Sequence, residues 1–132
     1  MKQRCLYCYK PLPDGSIDFH PACSRRLFGT PVPPILDYDS GQMEELARQV
    51  VIRSIAVTGV QPKLSLDIEK IPGDPTMSRL TIVGLWGHYI LKPPVAGYPN
   101  MPENEDLTMH LATHFGISTA GHSLLRLKSG EL

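Results

Sequence analysis

The three cysteines of this chain and one of its five histidines lie close together near the start of the sequence. They form two pairs, Cys5 with Cys8 and His20 with Cys23, and each pair has two residues between its members. Zinc takes four nitrogen or sulfur ligands in a tetrahedron, and closely spaced pairs bring two ligands together at little ordering cost. The spacing predicts a small zinc knuckle with a structural role, because the protein fills all four positions.

Other chemistry is open to the same cysteines. They could be reduced, buried side chains beside a surface histidine, or Cys5 and Cys8 could form a redox pair, although no βαβ pattern surrounds them. An odd number of cysteines and the lack of a signal-peptide pattern disfavour a disulfide framework. Structural zinc is the interpretation that uses all three cysteines.

A second group of residues with chemical potential begins at Gly59. A β-rich run precedes it, and a strand follows in which Leu64, Leu66 and Ile68 alternate with polar residues. A glycine turn between two strands forms a flap whose backbone N–H groups can approach a phosphate. Further along, an apolar strand ends in Lys92, and this order is that of a kinase N-lobe. An ordinary hairpin turn and a solvated lysine are the alternatives.

The elements that must position these groups read as an α+β fold. Residues 1–29 are expected to form the zinc-binding knuckle and residues 30–39 a proline-rich connector. Residues 40–132 are expected to form an antiparallel meander of about five strands with two helices. The first helix should be capped by Ser40, the first strand should lie at residues 55–57, and the last at 123–127. This last strand is expected at a sheet edge, with exposed leucines and a turn at residues 128–130.

The second helix is expected to have Asn104 as its N-cap residue and to pack on the sheet. Leu107, Leu111 and Phe115 recur at i, i+4 and i+8, and Gly116 is a natural stop. Acids that suit the positive end of the helix dipole gather at its start: Glu103, Glu105 and Asp106. The histidines outside the knuckle show no catalytic spacing and are interpreted as surface or satisfied core residues: His88, His110, His114 and His122.

Three stretches, Thr58–Leu66, Tyr89–Pro93 and Asn104–Glu105, closely resemble the HipA-like serine/threonine kinases of bacterial toxin–antitoxin systems. Within that family the chain looks most like the shorter HipT-type kinases. The resemblance runs from about the first cysteine to the last residue. It implies a kinase N-lobe-like fold that binds ATP and Mg²⁺ between two lobes and phosphorylates a protein serine or threonine.

The resemblance also assigns residue roles. Glu105 matches the helix acid that holds the strand lysine, Lys92. At the positions that match the loop serines that such kinases phosphorylate in themselves, this sequence has Ala56 and Thr58. The resemblance therefore implies Thr58 as a candidate autophosphorylation site. The residues implied in nucleotide binding are Thr58, Gly59, Val60, Gln61, Lys63, Lys92 and Glu105.

The segment after Lys92 departs from a complete kinase. Phosphoryl transfer needs a catalytic-loop aspartate and metal-holding acids downstream of the lysine strand, and Asp106 is the one aspartate among the remaining forty residues. The chain is therefore expected to be an N-lobe portion, inactive without a missing C-lobe supplied in cis or in trans. The resemblance implies a HipB-like or HipS-like antitoxin as a possible partner.

Composition excludes some classes. Thirteen basic and thirteen acidic residues in 132 cancel, which argues against direct nucleic-acid binding and against a zinc-ribbon nucleic-acid protein. No apolar run approaches the length of a membrane span, so a cytoplasmic protein without membrane contact is expected. The alternative to the kinase portion is a non-catalytic, zinc-containing interaction module or a regulatory subunit of a split HipA-type system.

Overall fold

The computed structural model describes residues 3–53, 63–83, 86–95 and 97–132. Within these ranges the chain has three helices and a three-stranded antiparallel sheet, which confirms the α+β class. The expectation of about five strands is wrong for the described residues, and the strand expected at 55–57 lies outside them. The elements are α1 (Pro21–Phe28), α2 (Ser40–Arg53), β1 (Leu64–Lys70), β2 (Ser78–Ile82), β3 (Tyr89–Leu91) and α3 (Met101–His114).

Strand β1 lies in the centre of the sheet and pairs antiparallel with β2 on one side and β3 on the other. The expected meander is therefore wrong, since β2 and β3 are not neighbours. The link between them passes the start of β1, where the backbone N–H groups of Val83 and Gly87 donate to the carbonyl and hydroxyl oxygens of Ser65. A Cβ atom at Gly87 would collide with the Leu66 carbonyl, so this close crossing requires glycine.

The predicted alternation of β1 places its leucines in the core. Leu64 and Leu66 are each 1% exposed, and they form one cluster with Leu80 of β2 and Met43 of α2. Full burial of such a side chain stabilises a fold by about 1.5–3 kcal/mol relative to exposure. Helix α2 is thus held on the sheet by apolar contact.

The proline-rich connector also extends the sheet. Ile35 forms a parallel bridge with Arg79: its N–H donates to the Ser78 carbonyl, and its carbonyl accepts from the N–H of Leu80. Leu36, 5% exposed, then enters the core. The free edge of β2 is therefore partly covered by the chain that precedes α2.

Asp39, rather than Ser40, caps α2. The Oδ1 atom of Asp39 accepts from the Gln42 backbone N–H at 2.8 Å, and Oε1 of Gln42 accepts from the Asp39 backbone N–H at 3.0 Å. This reciprocal pair is a capping box, and it satisfies two N–H groups at the start of the helix. Ser40 is the first helical residue.

Helix α3 begins at Met101, with Asn100 rather than the predicted Asn104 as its N-cap residue, and it ends as predicted with Gly116 at φ +81°. Its orientation differs from the expectation. Leu107 and Phe115, two members of the predicted apolar row, are 49% and 78% exposed, whereas Asp106 is 5% exposed. The inward face of α3 therefore carries a polar group, and this choice depends on partners that lie far away in the sequence.

The segment at residues 123–127 is irregular rather than an edge strand. Leu124 and Leu127 are 9% and 6% exposed, so the expected exposed leucines are wrong for these two. The backbone after them is held by local and distant contacts: Leu127 donates to the Glu131 carbonyl, and Lys128 donates to the Tyr38 carbonyl. We call residues 123–127, which line the core, the strap.

Among the helices of the described residues, none combines the length and the apolar character that a membrane span needs. The cytoplasmic location stays a prediction.

Candidate functional site

The turn that carries the first two cysteines is built by backbone hydrogen bonds. The Cys5 N–H donates to the Lys10 carbonyl, and the Tyr9 N–H donates to the Cys5 carbonyl at 2.9 Å. Tyr9 closes the turn in the left-handed region, at φ +59°. This loop turns Cys5 and Cys8 to the same side, as a ligand knuckle requires.

Helix α1 supplies the other pair. His20 is its N-cap residue and Pro21 its first helical residue, where the missing N–H of proline costs no hydrogen bond. Cys23 lies in the first turn, on the same side as His20. The ligand atoms of Cys5, Cys8, His20 and Cys23 all lie within 4.8 Å of one another, so the group could hold a metal ion.

The histidine is oriented for metal binding. Its Nε2 atom lies 3.1 Å from the Pro11 carbonyl oxygen, which can only accept, so Nε2 carries the proton. The lone pair is then on Nδ1, which lies 3.5 Å from the Cys8 sulfur and 3.9 Å from the Cys23 sulfur. A carbonyl on the far nitrogen is the usual second contact of a metal-bound histidine.

The pKa values of two knuckle thiols indicate how a bound cation would change their charge. Burial of Cys5 acts to raise its pKa, but backbone N–H groups, that of His20 first, outweigh burial and lower the pKa to about 6. Burial, and then hydrogen bonds to the other two thiols, raise the pKa of Cys23 to about 12. Without a cation Cys5 therefore favours the thiolate and Cys23 the thiol, and a bound cation would stabilise the thiolate form of both.

The knuckle is packed into the rest of the chain. The phenol of Tyr89 donates to the Leu27 carbonyl at 3.2 Å, and the Leu6 carbonyl accepts from the Ser123 hydroxyl at 3.0 Å. Its buried apolar residues form one cluster with a leucine of the strap: Cys5, Leu6, Leu12, Phe19, Phe28 and Leu124. A segment of this size cannot build its own core, and it shares one instead.

A lysine–glutamate pair lies at the other predicted site. Lys92 directly follows β3, and its Nζ contacts Oε1 of Glu105 in the first half of α3. Each side chain is 34% exposed, so water screens the pair only partly. The pairing that the sequence suggested is present in the structure, while the nucleotide-binding role of the two residues stays a prediction.

The pair borders a cavity of about 420 Å³ between the sheet, α3 and the strap. Apolar side chains such as Leu66 and Leu80 line much of it, and Lys92, Glu105 and Asp106 supply charged groups. This combination of an apolar wall and a few charged groups is typical of small-molecule sites.

The glycine loop of the sequence prediction lies outside the described residues. This applies to Thr58, Gly59, Val60 and Gln61, so the structure neither supports nor contradicts their proximity to Lys92. Lys63 is described; it is exposed and does not line the cavity.

Two histidines that the sequence left as scattered residues meet at one carboxylate. Oδ1 of Asp106 lies 2.7 Å from Nδ1 of His122, and Oδ2 lies 3.5 Å from Nε2 of His110. The Tyr9 phenol donates to the same Oδ2. We call Asp106, His110 and His122 the Asp–His–His cluster. The i, i+4 spacing of Asp106 and His110 was visible in the sequence; the approach of His122 was not.

The other two histidines lie at the surface. Nδ1 of His88 is 3.1 Å from the Asp67 carboxylate, and His114 is exposed at the end of α3. A hydrogen bond from the Ile68 backbone N–H, followed by that from His88, lowers the pKa of Asp67. These contacts agree with the surface interpretation of both histidines.

Comparison with known protein families identifies one that matches this chain. A model described as the HipA-like C-terminal domain matches residues 55–132, more than half of the chain. No curated protein matches the chain. The matched range contains β1 to β3 and α3, and with them the lysine–glutamate pair and the Asp–His–His cluster. The chain therefore belongs to the HipA-like C-terminal domain family.

Proposed function

We propose that this chain contributes the nucleotide-facing sheet of a HipA-like protein serine/threonine kinase. The observation that carries the proposal is the contact between Lys92, at the end of β3, and Glu105, on α3, at the rim of the cavity. In protein kinases a strand lysine and a helix glutamate form such a pair, and the pair must be in place for phosphoryl transfer.

The physics of the pair suits this role. A carboxylate beside Lys92 holds the long side chain in one orientation, so that less conformational freedom is lost when the ammonium group meets a phosphate. The apolar wall of the cavity, including Leu66, excludes water and strengthens such a charged contact. In this proposal the glycine loop at residues 57–62, which lies outside the described residues, supplies further phosphate contacts.

The acids that hold Mg²⁺ must come from another lobe, in cis or in trans. Asp106, the one aspartate that follows Lys92, already accepts from Tyr9 and contacts His122. It is therefore poorly placed to serve as a catalytic-loop aspartate. In this proposal the complete kinase is a HipT-type toxin that binds ATP and Mg²⁺ and is restrained by a HipB-like or HipS-like antitoxin.

The cysteine knuckle has a structural role in the proposal. Cys5, Cys8, His20 and Cys23 would hold one zinc, and the metal would neutralise the thiolates and fix α1 against the shared core. All four ligands come from the protein, which leaves no open position for a substrate.

Nucleotide titration tests the proposal. The Kd of the chain for an ATP analogue should increase about ten- to a hundredfold in Lys92→Met, because a charge-assisted hydrogen bond contributes about 1.5–3 kcal/mol. Lys70→Met, at the exposed end of β1, is the matched control and should leave the Kd unchanged. Equal Kd values for wild type and Lys92→Met would refute the role of this lysine.

A non-catalytic interaction module is the second candidate. It is favoured by the exposed apolar row of α3, in which Leu107, Leu111 and Phe115 are 49%, 50% and 78% exposed. A partner that binds this row should lose affinity in Leu111→Glu. Binding of such a partner without any measurable nucleotide affinity would favour the module over the kinase portion.

A further inference from the structure

We propose that the Asp–His–His cluster is a second divalent-cation site, with zinc as the best-suited metal. It would be separate in place and in chemistry from the cysteine knuckle. One carboxylate oxygen and two imidazole nitrogens would bind the cation, and the fourth position would be open to water or to another small ligand.

The fold brings the three side chains together from two segments. Asp106 and His110 are four residues apart on α3, so they project from the same face of the helix. His122 comes from the stretch after the helix and returns to the same point. The ligand atoms of the three residues all lie within 4.8 Å of one another.

These spacings are close to those that a tetrahedral zinc site needs. In a tetrahedron, zinc–nitrogen and zinc–oxygen bonds of about 2.0–2.2 Å place neighbouring ligand atoms about 3.3–3.6 Å apart. In the cluster, Asp106 Oδ1 lies 2.7 Å from His122 Nδ1, and Asp106 Oδ2 lies 3.5 Å from His110 Nε2. The two distances involve different oxygens of Asp106, so the carboxylate and the imidazoles must shift until one oxygen and both nitrogens surround the ion.

An unpartnered nitrogen points to a missing ligand. Nε2 of His110 is buried and, apart from its long 3.5 Å approach to Oδ2 of Asp106, has no hydrogen-bond partner among the described residues. A hydrogen bond between Nδ1 of His122 and Oδ1 of Asp106 accounts for their 2.7 Å contact, but it leaves Nε2 of His110 unsatisfied. Buried polar atoms rarely lack a partner, and a cation bound by the three side chains would supply one.

The surroundings orient the ligands. The Tyr9 phenol donates to Oδ2 of Asp106, which turns Oδ1 toward His122. The Tyr9 ring is 4.7 Å from the His110 ring, and the His110 ring is 4.6 Å from that of His122. Metal-binding carboxylates are commonly held by such an outer contact. Asp106 is 5% exposed, so the charge of a bound cation would be only weakly screened.

A cation at this place would connect three parts of the chain. It would tie α3 to the segment of His122 directly and to the knuckle through Tyr9. Asp106 directly follows Glu105, so the ion would also hold the turn of α3 from which Glu105 reaches Lys92.

Metal content of the full chain is the first test. Protein loaded with excess zinc and dialysed should retain about two ions per chain, one in each site. His110→Asn and Asp106→Asn should each retain the knuckle ion and lose the second, with affinity reduced by more than the roughly 10–100-fold that loss of an outer contact causes. His114→Asn, one turn further along α3, is the matched control and should retain both.

Cobalt distinguishes the two sites and also reports on folding. Co²⁺ in the cysteine knuckle gives thiolate-to-metal charge-transfer absorption, whereas Co²⁺ in the Asp–His–His cluster gives only ligand-field bands. In Cys8→Ser the charge-transfer absorption should be lost with the knuckle ion, while a nitrogen- and oxygen-bound cobalt spectrum remains. A variant that loses the second ion but keeps the full thiolate absorption has a folded knuckle. In that variant the loss of the second ion is a local effect of the substitution.

Two results would overturn the proposal. One is a wild-type chain that retains a single ion, all of it bound by thiolate. The other is the retention of two ions by both Asp106→Asn and His110→Asn. If these variants do not fold, imidazole nitrogen chemical shifts of His110 and His122 in the wild type decide: they must change on addition of zinc after the knuckle is filled.

Discussion

The contact between Lys92 and Glu105 should contribute measurably to stability. Lys92→Met and Glu105→Gln remove one charge each while nearly conserving volume. The double variant removes both. A double-mutant cycle then isolates the coupling energy of the pair from the effects of each substitution alone.

The expected coupling energy follows from how far the two side chains are buried. Two unit charges about 4 Å apart interact by roughly 4 kcal/mol at an effective dielectric constant near 20, and by roughly 1 kcal/mol in bulk water. Because each side chain is 34% exposed, the pair lies between these limits. After the loss of side-chain freedom, a coupling energy of about 1–2 kcal/mol is expected.

Urea unfolding of the four proteins at low ionic strength measures the coupling. The surface pair Arg79–Glu69 offers a matched control, with side chains 50% and 53% exposed, tested through Arg79→Met and Glu69→Gln. Its coupling should be smaller, because water surrounds both groups more fully. Added salt should reduce the control coupling more than that of Lys92 and Glu105. A Lys92–Glu105 coupling no larger than that of the surface pair would refute the reasoning from burial.

Further outcomes follow from other parts of the structure. Cys8→Ser should lose the knuckle ion and expose the shared core, as judged by metal content and by proteolysis within residues 3–29; an unchanged digestion pattern would contradict a structural role. Leu66→Ala should lower the free energy of unfolding by about 2–5 kcal/mol, as measured in urea, whereas Ile90→Ala, 69% exposed on the next strand, should cost far less. Gly87→Ala should destabilise the sheet through its clash with the Leu66 carbonyl, and a thermal melt equal to that of wild type would contradict the close crossing. Burial, and then the hydrogen bond to Asp106, raise the pKa of Tyr9, so the unfolded chain loses the phenolic proton first and stability should fall above about pH 10; Tyr9→Phe should reduce that alkaline loss in urea titrations, and the raised pKa of Tyr89 should account for part of what is left.

Several features could be predicted from the sequence because they depend on local chemistry. The four knuckle ligands follow from two pairs of fixed spacing, and the structure brings their ligand atoms within 4.8 Å. The alternation of Leu64 and Leu66 predicts which face of β1 is buried, since side chains alternate along any strand. The end of α3 at Gly116 follows from a residue that tolerates positive φ.

The link between Lys92 and Glu105 was predictable in a different way. Nothing in local spacing joins a strand end to a helix thirteen residues later. The pairing came from resemblance to the HipA-like kinases. Family membership now has independent support in the match over residues 55–132, while the kinase chemistry is a proposal to be tested by nucleotide titration.

Other features were decided by tertiary structure. Strand order required knowledge of where the chain after β2 crosses, and that crossing depends on Gly87 fitting against Leu66. Asp39 displaced Ser40 as the cap of α2 because Gln42 completes the reciprocal bond, a choice between two adjacent residues of similar propensity.

The orientation of α3 shows most clearly which features follow from the sequence and which depend on tertiary contacts. The sequence predicted a helix from about residue 104 to 116 with Leu107, Leu111 and Phe115 on one face. It did not determine which face turns inward, because a buried carboxylate is tolerated only where distant groups satisfy it. Tyr9 and His122 supply those groups, and they meet Asp106 only in the folded chain. Local periodicity thus sets the element, while long-range hydrogen bonding sets its orientation.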